Sequence, residues 1–283
     1  IEEYRIDGVQ FYDMNFFMRE DHTRELMERL TPLNLQWWCE GRIDIVLRYS
    51  DATWRALKKS GCRMIFFGAE SGDDQVLREM NKQLSSEETL ALASRIREFG
   101  IVPEFSFVIG NPKDPARDLA TNMRFIREVK RRNPDSEIIV QHYTPVPHPD
   151  GMYGVEDGAL PFPKSPDEWA QEEWAKFAER KNPSLPWLPK EVRRKIDAFE
   201  LVLACRWPTV QDTKMPGWAR ALLRLLGKLP GTLRPGKPRT RPATTPRSST
   251  SFRRPRARPG LIRQRASRGP RRRSNSARSA TSR

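Results

Sequence analysis

Three observations predict an α/β fold built on a parallel sheet. The run Met64-Ile65-Phe66-Phe67 is apolar without alternation, as in a strand covered on both faces. Four further strand-like runs, at 8–12, 34–38, 102–109 and 138–143, each end in a polar tip. Helical patterns lie between the runs, which is the spacing of βα units. In such folds chemistry sits beyond the carboxyl ends of the strands, so the tips are where functional residues are sought.

Each element has a local reason. The first run, Gly8-Val9-Gln10-Phe11-Tyr12, leads to Asp13-Met14-Asn15, and Asp21-His22-Thr23 opens a helix with Leu26, Met27 and Leu30 on one face before Pro32 stops it. His22 is read as solvent-facing. The second run ends in Glu40-Gly41-Arg42. Ser50 caps the next helix, in which Trp54 and Leu57 share a stripe and Gly61 is the stop. The central run ends in Gly68-Ala69-Glu70-Ser71-Gly72, where a carboxylate and a hydroxyl meet at a turn and the glycines allow close approaches. Asp73 and Asp74 suit a helix start, with Val76, Leu77 and Met80 facing inward, and Lys82 follows. Ser85 with Glu88 reads as a capping box for a helix that ends at Phe99-Gly100. The fourth run leads to Gly110-Asn111-Pro112-Lys113-Asp114. Asp114 caps a helix over 116–132 whose apolar set is Leu119, Met123, Phe125, Ile126 and Val129. In the last run His142 and Tyr143 alternate, so only one of them can face the inside of the sheet, and His142 is read as structural.

Beyond Gly154 the chain turns to proline and tryptophan. Pro161, Pro163 and Pro166 form a linker, Asp167-Glu168 begins a helix with Trp174 and Phe177 on one side, and Pro189 begins another with Val192, Ile196, Phe199 and Leu203 recurring every three or four residues. A short basic amphipathic helix is predicted over 217–228, docked on the body. From 229 to 283 there are 17 Lys plus Arg and no Asp or Glu, so of the formal +15 the preceding body carries about −2. That tail lacks the apolar surface to offset its ordering entropy and is expected to be disordered. An Arg-rich arm can bind nucleic acid or an acidic membrane by neutralising phosphates. A charge run alone is weak evidence of a partner, and the plainer reading is a solvated extension or an out-of-frame translation.

No stretch approaches the roughly 20 apolar residues of a membrane span, and no secretory signal is visible, so a soluble cytoplasmic protein is expected. The first residue is Ile1 and the first strand arrives within ten residues, from which a fragment is expected. Cys39, Cys62 and Cys205 lie far apart and form no close-spaced ligand set; Cys39 and Cys62 are read as small buried hydrophobes, and no metal site is assigned.

The order of the tips resembles a known superfamily. Phe11-Tyr12-Asp13-Met14-Asn15-Phe16, Trp38-x-Glu40-x-Arg42, Gly61-Cys62-Arg63 leading to Phe67-Gly68-Ala69-Glu70-Ser71-Gly72, Met80-Asn81-Lys82, and Phe107-Val108-Ile109-Gly110-Asn111-Pro112 are similar to the radical S-adenosylmethionine (radical SAM) core. The pattern is most similar to the branch whose members usually carry an N-terminal cobalamin-binding domain, which includes the anaerobic magnesium-protoporphyrin ester cyclase type. It covers roughly residues 1–154.

This resemblance implies an α/β partial TIM-like barrel of parallel strands missing its first βα unit (1–154), a C-terminal helical extension (155–228) and the disordered basic tail (229–283). It implies an enzyme in which a reduced 4Fe-4S cluster cleaves S-adenosylmethionine to a 5′-deoxyadenosyl radical that acts on a small-molecule substrate. An electron donor serves the cluster, and cobalamin is a candidate second cofactor of the intact protein. The family's Cys-x-x-x-Cys-x-x-Cys cluster loop has no counterpart here, so the chain alone is expected to be inactive and the catalytic residues are not assigned. Carried over position by position, Asp13 and Asn15 stand where the methionyl amino group is held. Glu40, Arg42, Glu70 and Ser71 are candidates for the ribose hydroxyls and the methionyl carboxylate, which suits the fork of Arg42. Gly110 would let backbone approach the adenosyl moiety, and Tyr143 lies on the strand that borders the adenine. Lys82 occupies a position where the family commonly has Lys, and Asp114 stands in place of the family's Glu. The alternatives are a noncatalytic barrel-like scaffold and a nucleic-acid binder working through the tail.

Overall fold

The computed structural model describes residues 1–209, apart from 2, 148–152, 157–159 and 183, together with Trp218. The tail over 229–283 and, apart from the exposed Trp218, the helix over 217–228 lie outside the described residues.

Five strands, β1 (Gly8–Gln10), β2 (Gln36–Gly41), β3 (Cys62–Glu70), β4 (Val102–Ile109) and β5 (Glu137–His142), lie in sequence order in one sheet. Every neighbouring pair is parallel, and the sheet curls into half of a barrel. All five carboxyl ends therefore share one rim. The helices are α1 (Glu20–Leu30), α2 (Ile43–Val46), α3 (Asp51–Lys59), α4 (Asp74–Glu79), α5 (Ser86–Glu98), α6 (Pro115–Arg132), α7 (Pro166–Trp169), α8 (Glu172–Phe177) and α9 (Lys190–Arg206).

The predicted starts are where the helices begin. Ser50 accepts the Thr53 N–H, Asp73 that of Gln75 and Asp114 that of Arg117, and the Ser85–Glu88 capping box is closed in both directions.

Alternation along the strands separates two faces. Trp37, Cys39, Ile65, Phe67, Ala69, Phe105 and Phe107 point outward and are buried under the helices. The inner, concave face carries Trp38, Phe66, Glu104, Ser106 and Gln141. There the Trp38 Nε1–H donates to Glu104 Oε2 at 3.0 Å and the Gln141 Nε2–H to Ser106 Oγ at 3.1 Å. Tyr12, Trp38 and Phe66 form a row of rings across it, with centroids 5.9 and 6.3 Å apart. Val192, Ile196, Phe199 and Leu203 of α9 join the same core as Ile126 and Val129 of α6.

Two predicted elements differ. The second strand does not stop at Trp38: Glu40 and Gly41 still pair with Phe66 and Phe67, so Glu40 belongs to the strand and its side chain points inward. The single helix expected from Asp167 is two, broken at Ala170 and Gln171. In an unbroken helix Trp169 and Trp174 would lie roughly 140° apart. The break brings their rings to 5.1 Å, in a cluster with Phe162 and Phe177.

Candidate functional site at the carboxyl ends of the strands

A cleft of about 400 Å³ opens at the rim where β2 and β3 end. Glu40, Arg42 and Glu70 line it, with Phe66 and Gly68 as its floor and Asn81, Lys82 and Leu84 from the turn after α4 as its far wall. Met14, on the loop after β1, closes another side, and the Phe16 N–H holds that loop by donating to the Glu40 carbonyl at 3.3 Å.

Glu70 is the most constrained residue here. A register shift between Gly68 and Glu70 re-aims the end of β3, and Glu70 sits in the left-handed region at φ 60°. Its carboxylate folds back over Gly68, where an added Cβ would lie 2.7 Å from Oε1, and it accepts the Lys82 ammonium at 2.8 Å. The Lys82 side chain is 44% exposed, so the pair is worth at most about 1 kcal/mol. The backbone conformation costs about 1–2 kcal/mol. The pair does not offset the strain, so the surrounding fold holds Glu70 in this conformation. Arg42 is exposed and holds Asp44 through two hydrogen bonds, at 3.1 and 3.2 Å.

The other predicted site residues lie elsewhere on the rim. Asp13 is exposed beside Met14. Asn15 donates to Met18 Sδ at 2.8 Å, while its buried Oδ1 has no hydrogen-bond partner among the described residues. Ser71 is fully buried and serves its turn, its Oγ accepting the Asp73 N–H at 3.1 Å; it is outside the cleft. Gly110 has φ 99°, and the space beside its Cα is taken by Leu188, 2.9 Å from where a Cβ would stand. Tyr143 is half-buried against the Tyr153 and Trp187 rings. His142 is buried with Nδ1 against the Asn182 carbonyl at 3.1 Å, and burial lowers its pKa.

The β4 half of the rim contains a group that the sequence pattern did not single out. The buried Asp118 carboxylate of α6 accepts the N–H groups of Gly110 and Asn111 at 2.8 and 3.3 Å, and burial pushes its pKa up to about 6. It borders a small cavity of about 110 Å³. There Tyr153 accepts from Asn111 Nδ2 at 2.5 Å and donates to Glu79 at 2.9 Å, and Lys113 also donates to Glu79 at 2.9 Å.

The cysteines do not fit an iron-sulfur cluster. All three are buried, and burial drives the Cys39 and Cys62 thiols far above their ordinary pKa, whereas a ligand must be a thiolate. Among the described residues no group of three or more His, Cys, Asp or Glu side chains is placed to hold a metal ion.

No family model matches the chain. An uncharacterised methyltransferase of Pyrococcus horikoshii is 22% identical over 129 residues, 45% of this chain and 28% of that relative. Among solved structures, the radical SAM methyltransferase TsrM from Kitasatospora setae, with cobalamin and a [4Fe-4S] cluster bound, is 14% identical with a TM-score of 0.39 over 49% of this chain and 28% of its own. The cobalamin-dependent radical SAM enzyme OxsB is 20% identical with a TM-score of 0.38, over 44% and 20%. Coproporphyrinogen III oxidase (HemN) from Escherichia coli, a radical SAM enzyme, is 20% identical with a TM-score of 0.41, over 59% and 40%. The chain thus spans less than half the length of each. Its similarity to the radical SAM core stands on the ordered strand tips and on the half-barrel that carries them.

Proposed function

We propose that the cleft between the ends of β2 and β3 binds S-adenosylmethionine, as part of a radical SAM core that works on a small-molecule substrate. One observation carries this reading. Glu40 and Arg42 from the tip of β2 and Glu70 from the tip of β3 line a single cleft at the rim where an α/β fold places its chemistry.

The residues fit the group. A cleft of about 400 Å³ is within the range of small-molecule sites. The Glu40 and Glu70 carboxylates are acceptors for ribose hydroxyls. Arg42, exposed and planar, offers its fork to a methionyl carboxylate once it leaves Asp44. When bound, S-adenosylmethionine supplies the sulfonium whose cleavage starts the chemistry of this superfamily. Cobalamin, an electron donor and the identity of the substrate belong to the same proposal and rest on the resemblance alone.

The test is S-adenosylmethionine binding by the full chain, followed by equilibrium dialysis and by tryptophan fluorescence. Arg42→Ala and Glu70→Gln are each expected to weaken binding at least tenfold. Binding that neither substitution changes would overturn the assignment.

One observation favours a second reading, a scaffold that binds without turnover: all three cysteines are buried, and burial raises the pKa of the Cys39 and Cys62 thiols. Anaerobic reconstitution with iron and sulfide separates the two. A stoichiometric cluster that depends on Cys39 and Cys62 would remove the scaffold reading.

A further inference from the structure

Asp118 and Asn122 stand one turn apart on the covered face of α6, 7% and 0% exposed. The hydrogen bonds around them form one chain. Oδ2 of Asp118 accepts from the backbone of Gly110 and Asn111, and Oδ1 accepts from Asn122 Nδ2 at 3.1 Å. Nδ2 also donates to the Asp118 carbonyl at 3.1 Å, and Asn122 Oδ1 accepts the Gly72 N–H at 2.8 Å. A single helical turn thus grips two strand tips, Gly110-Asn111 after β4 and Gly72 after β3. Gly72 is two residues beyond Glu70 in the cleft.

We propose that Asp118 and Asn122 are positioning residues that couple the tip of β4 to the tip of β3, and that protonation of Asp118 releases Gly72 and with it the backbone that holds Glu70.

The donor and acceptor inventory dictates the direction of the effect. Both acceptor positions of Oδ2 are taken by N–H groups, so an added proton goes to Oδ1. Among the described residues Oδ1 accepts one hydrogen bond, from Asn122 Nδ2, and protonation weakens it as an acceptor for that donor. The new O–H finds an acceptor if the Asn122 amide turns over and presents its Oδ1 to the acid. That turn places Nδ2 against the Gly72 N–H, and the bond to Gly72 is lost. Protonation at one tip is therefore read as a broken hydrogen bond at the other.

The surroundings put this titration within reach. Burial raises the Asp118 pKa, the two backbone donors and Asn122 lower it, and the charge of Asp73 at the start of α4 adds to the rise, leaving it at about 6. The other charged or titratable groups around the adjoining cavity are Glu79, Lys113, Asp114, Arg117 and Tyr153, of which Glu79 is tied to both Lys113 and Tyr153.

The consequence for the cleft rests on its reading as an S-adenosylmethionine site; the coupling between the tips does not. Amide spectra of the full chain, with 15N-labelled glycine and asparagine and no ligand, test the coupling between pH 4.5 and 7.5. Gly72, Gly110 and Asn111 are expected to titrate with one midpoint near pH 6 in the wild type, a result that needs no variant. In Asn122→Ala, Gly110 keeps the midpoint and Gly72 loses it; in Asp118→Asn, both lose it. Separate midpoints in the wild type, or a Gly72 that still follows Gly110 in Asn122→Ala, overturn the coupler. A second arm measures S-adenosylmethionine affinity over the same range, expected to fall at least threefold below pH 6 in the wild type but not in Asp118→Asn. An equal fall in both proteins overturns the link to the cleft. Coupled amides with no binding at any pH support the coupler and defeat only the cofactor reading.

Discussion

The two halves of the rim are built from the same unit and end in opposite states. At the ends of β2 and β3 the polar side chains Glu40, Arg42, Glu70 and Lys82 face an open cleft, and the backbone under Glu70 is strained. At the ends of β4 and β5 the corresponding space is filled from within. Leu188 lies on Gly110, Asp118 takes the N–H groups of the tip, and Tyr143 packs on Tyr153 and Trp187. Polar groups of both halves have internal partners, Lys82 for Glu70 and Asp44 for Arg42 in one and the tip N–H groups for Asp118 in the other, so the difference lies in whether side chains cover the tip. The β2–β3 half is thus open, whereas the β4–β5 half is closed by the chain's own side chains.

The contrast can be broken or sharpened by substitutions on either side, with effects that should descend in order. Leu188→Ala, at a residue 2% exposed, should cost about 2–5 kcal/mol in urea unfolding and leave ligand binding in the cleft unchanged. A loss under about 1 kcal/mol would mean that packing does not close this half.

Asp118 should contribute a pH dependence of definite sign. Its pKa lies above the ordinary 3.8, at about 6, so the folded state binds the extra proton between those values. Its contribution is fully present below about pH 4 and is lost as pH rises through 6, by on the order of 3 kcal/mol. Subtracting the stability profile of Asp118→Asn from that of the wild type should expose this fall, and a flat difference would rule it out.

Gly110→Ala combines a positive φ with a 2.9 Å contact to Leu188 and should cost about 1–3 kcal/mol. The smallest effect on stability belongs to the open half. Glu70→Ala removes an ion pair with a half-exposed lysine and should change unfolding by less than about 1 kcal/mol, while affinity for S-adenosylmethionine drops at least tenfold. A stability loss comparable to that of Leu188→Ala would make Glu70 a structural residue and erase the distinction.

What was legible in the sequence follows from how local each cause is. The strands and the capped helices depend on neighbours in sequence, so Ser50, Asp73, Asp114 and the Ser85–Glu88 box could be read directly. Glu40, Arg42 and Glu70 could be brought together because parallel strands share a carboxyl rim. Ser71 could not accompany Glu70, since successive side chains at a strand end point to opposite sides, and it is buried in its turn. The role of Gly110 depends on Leu188, which no local pattern connects to it. Asp118 and Asn122 left a usable signal: polar residues at i and i+4 on the stripe continued by Ile126, where a helix face that packs on a sheet otherwise carries apolar side chains.

The seat of Glu70 over Gly68 makes the effect of a substitution at one position depend on the residue at the other. A methyl group at 68 would meet a carboxylate oxygen, the free end of a flexible side chain, so alanine there displaces the carboxylate from Lys82 and need not unfold the strand. The same alanine in a lineage that has first shortened residue 70 meets no carboxylate. Whether a change at 68 is silent or disabling is thus decided by history at 70. The need for glycine at 68 lasts only for as long as residue 70 carries its carboxylate.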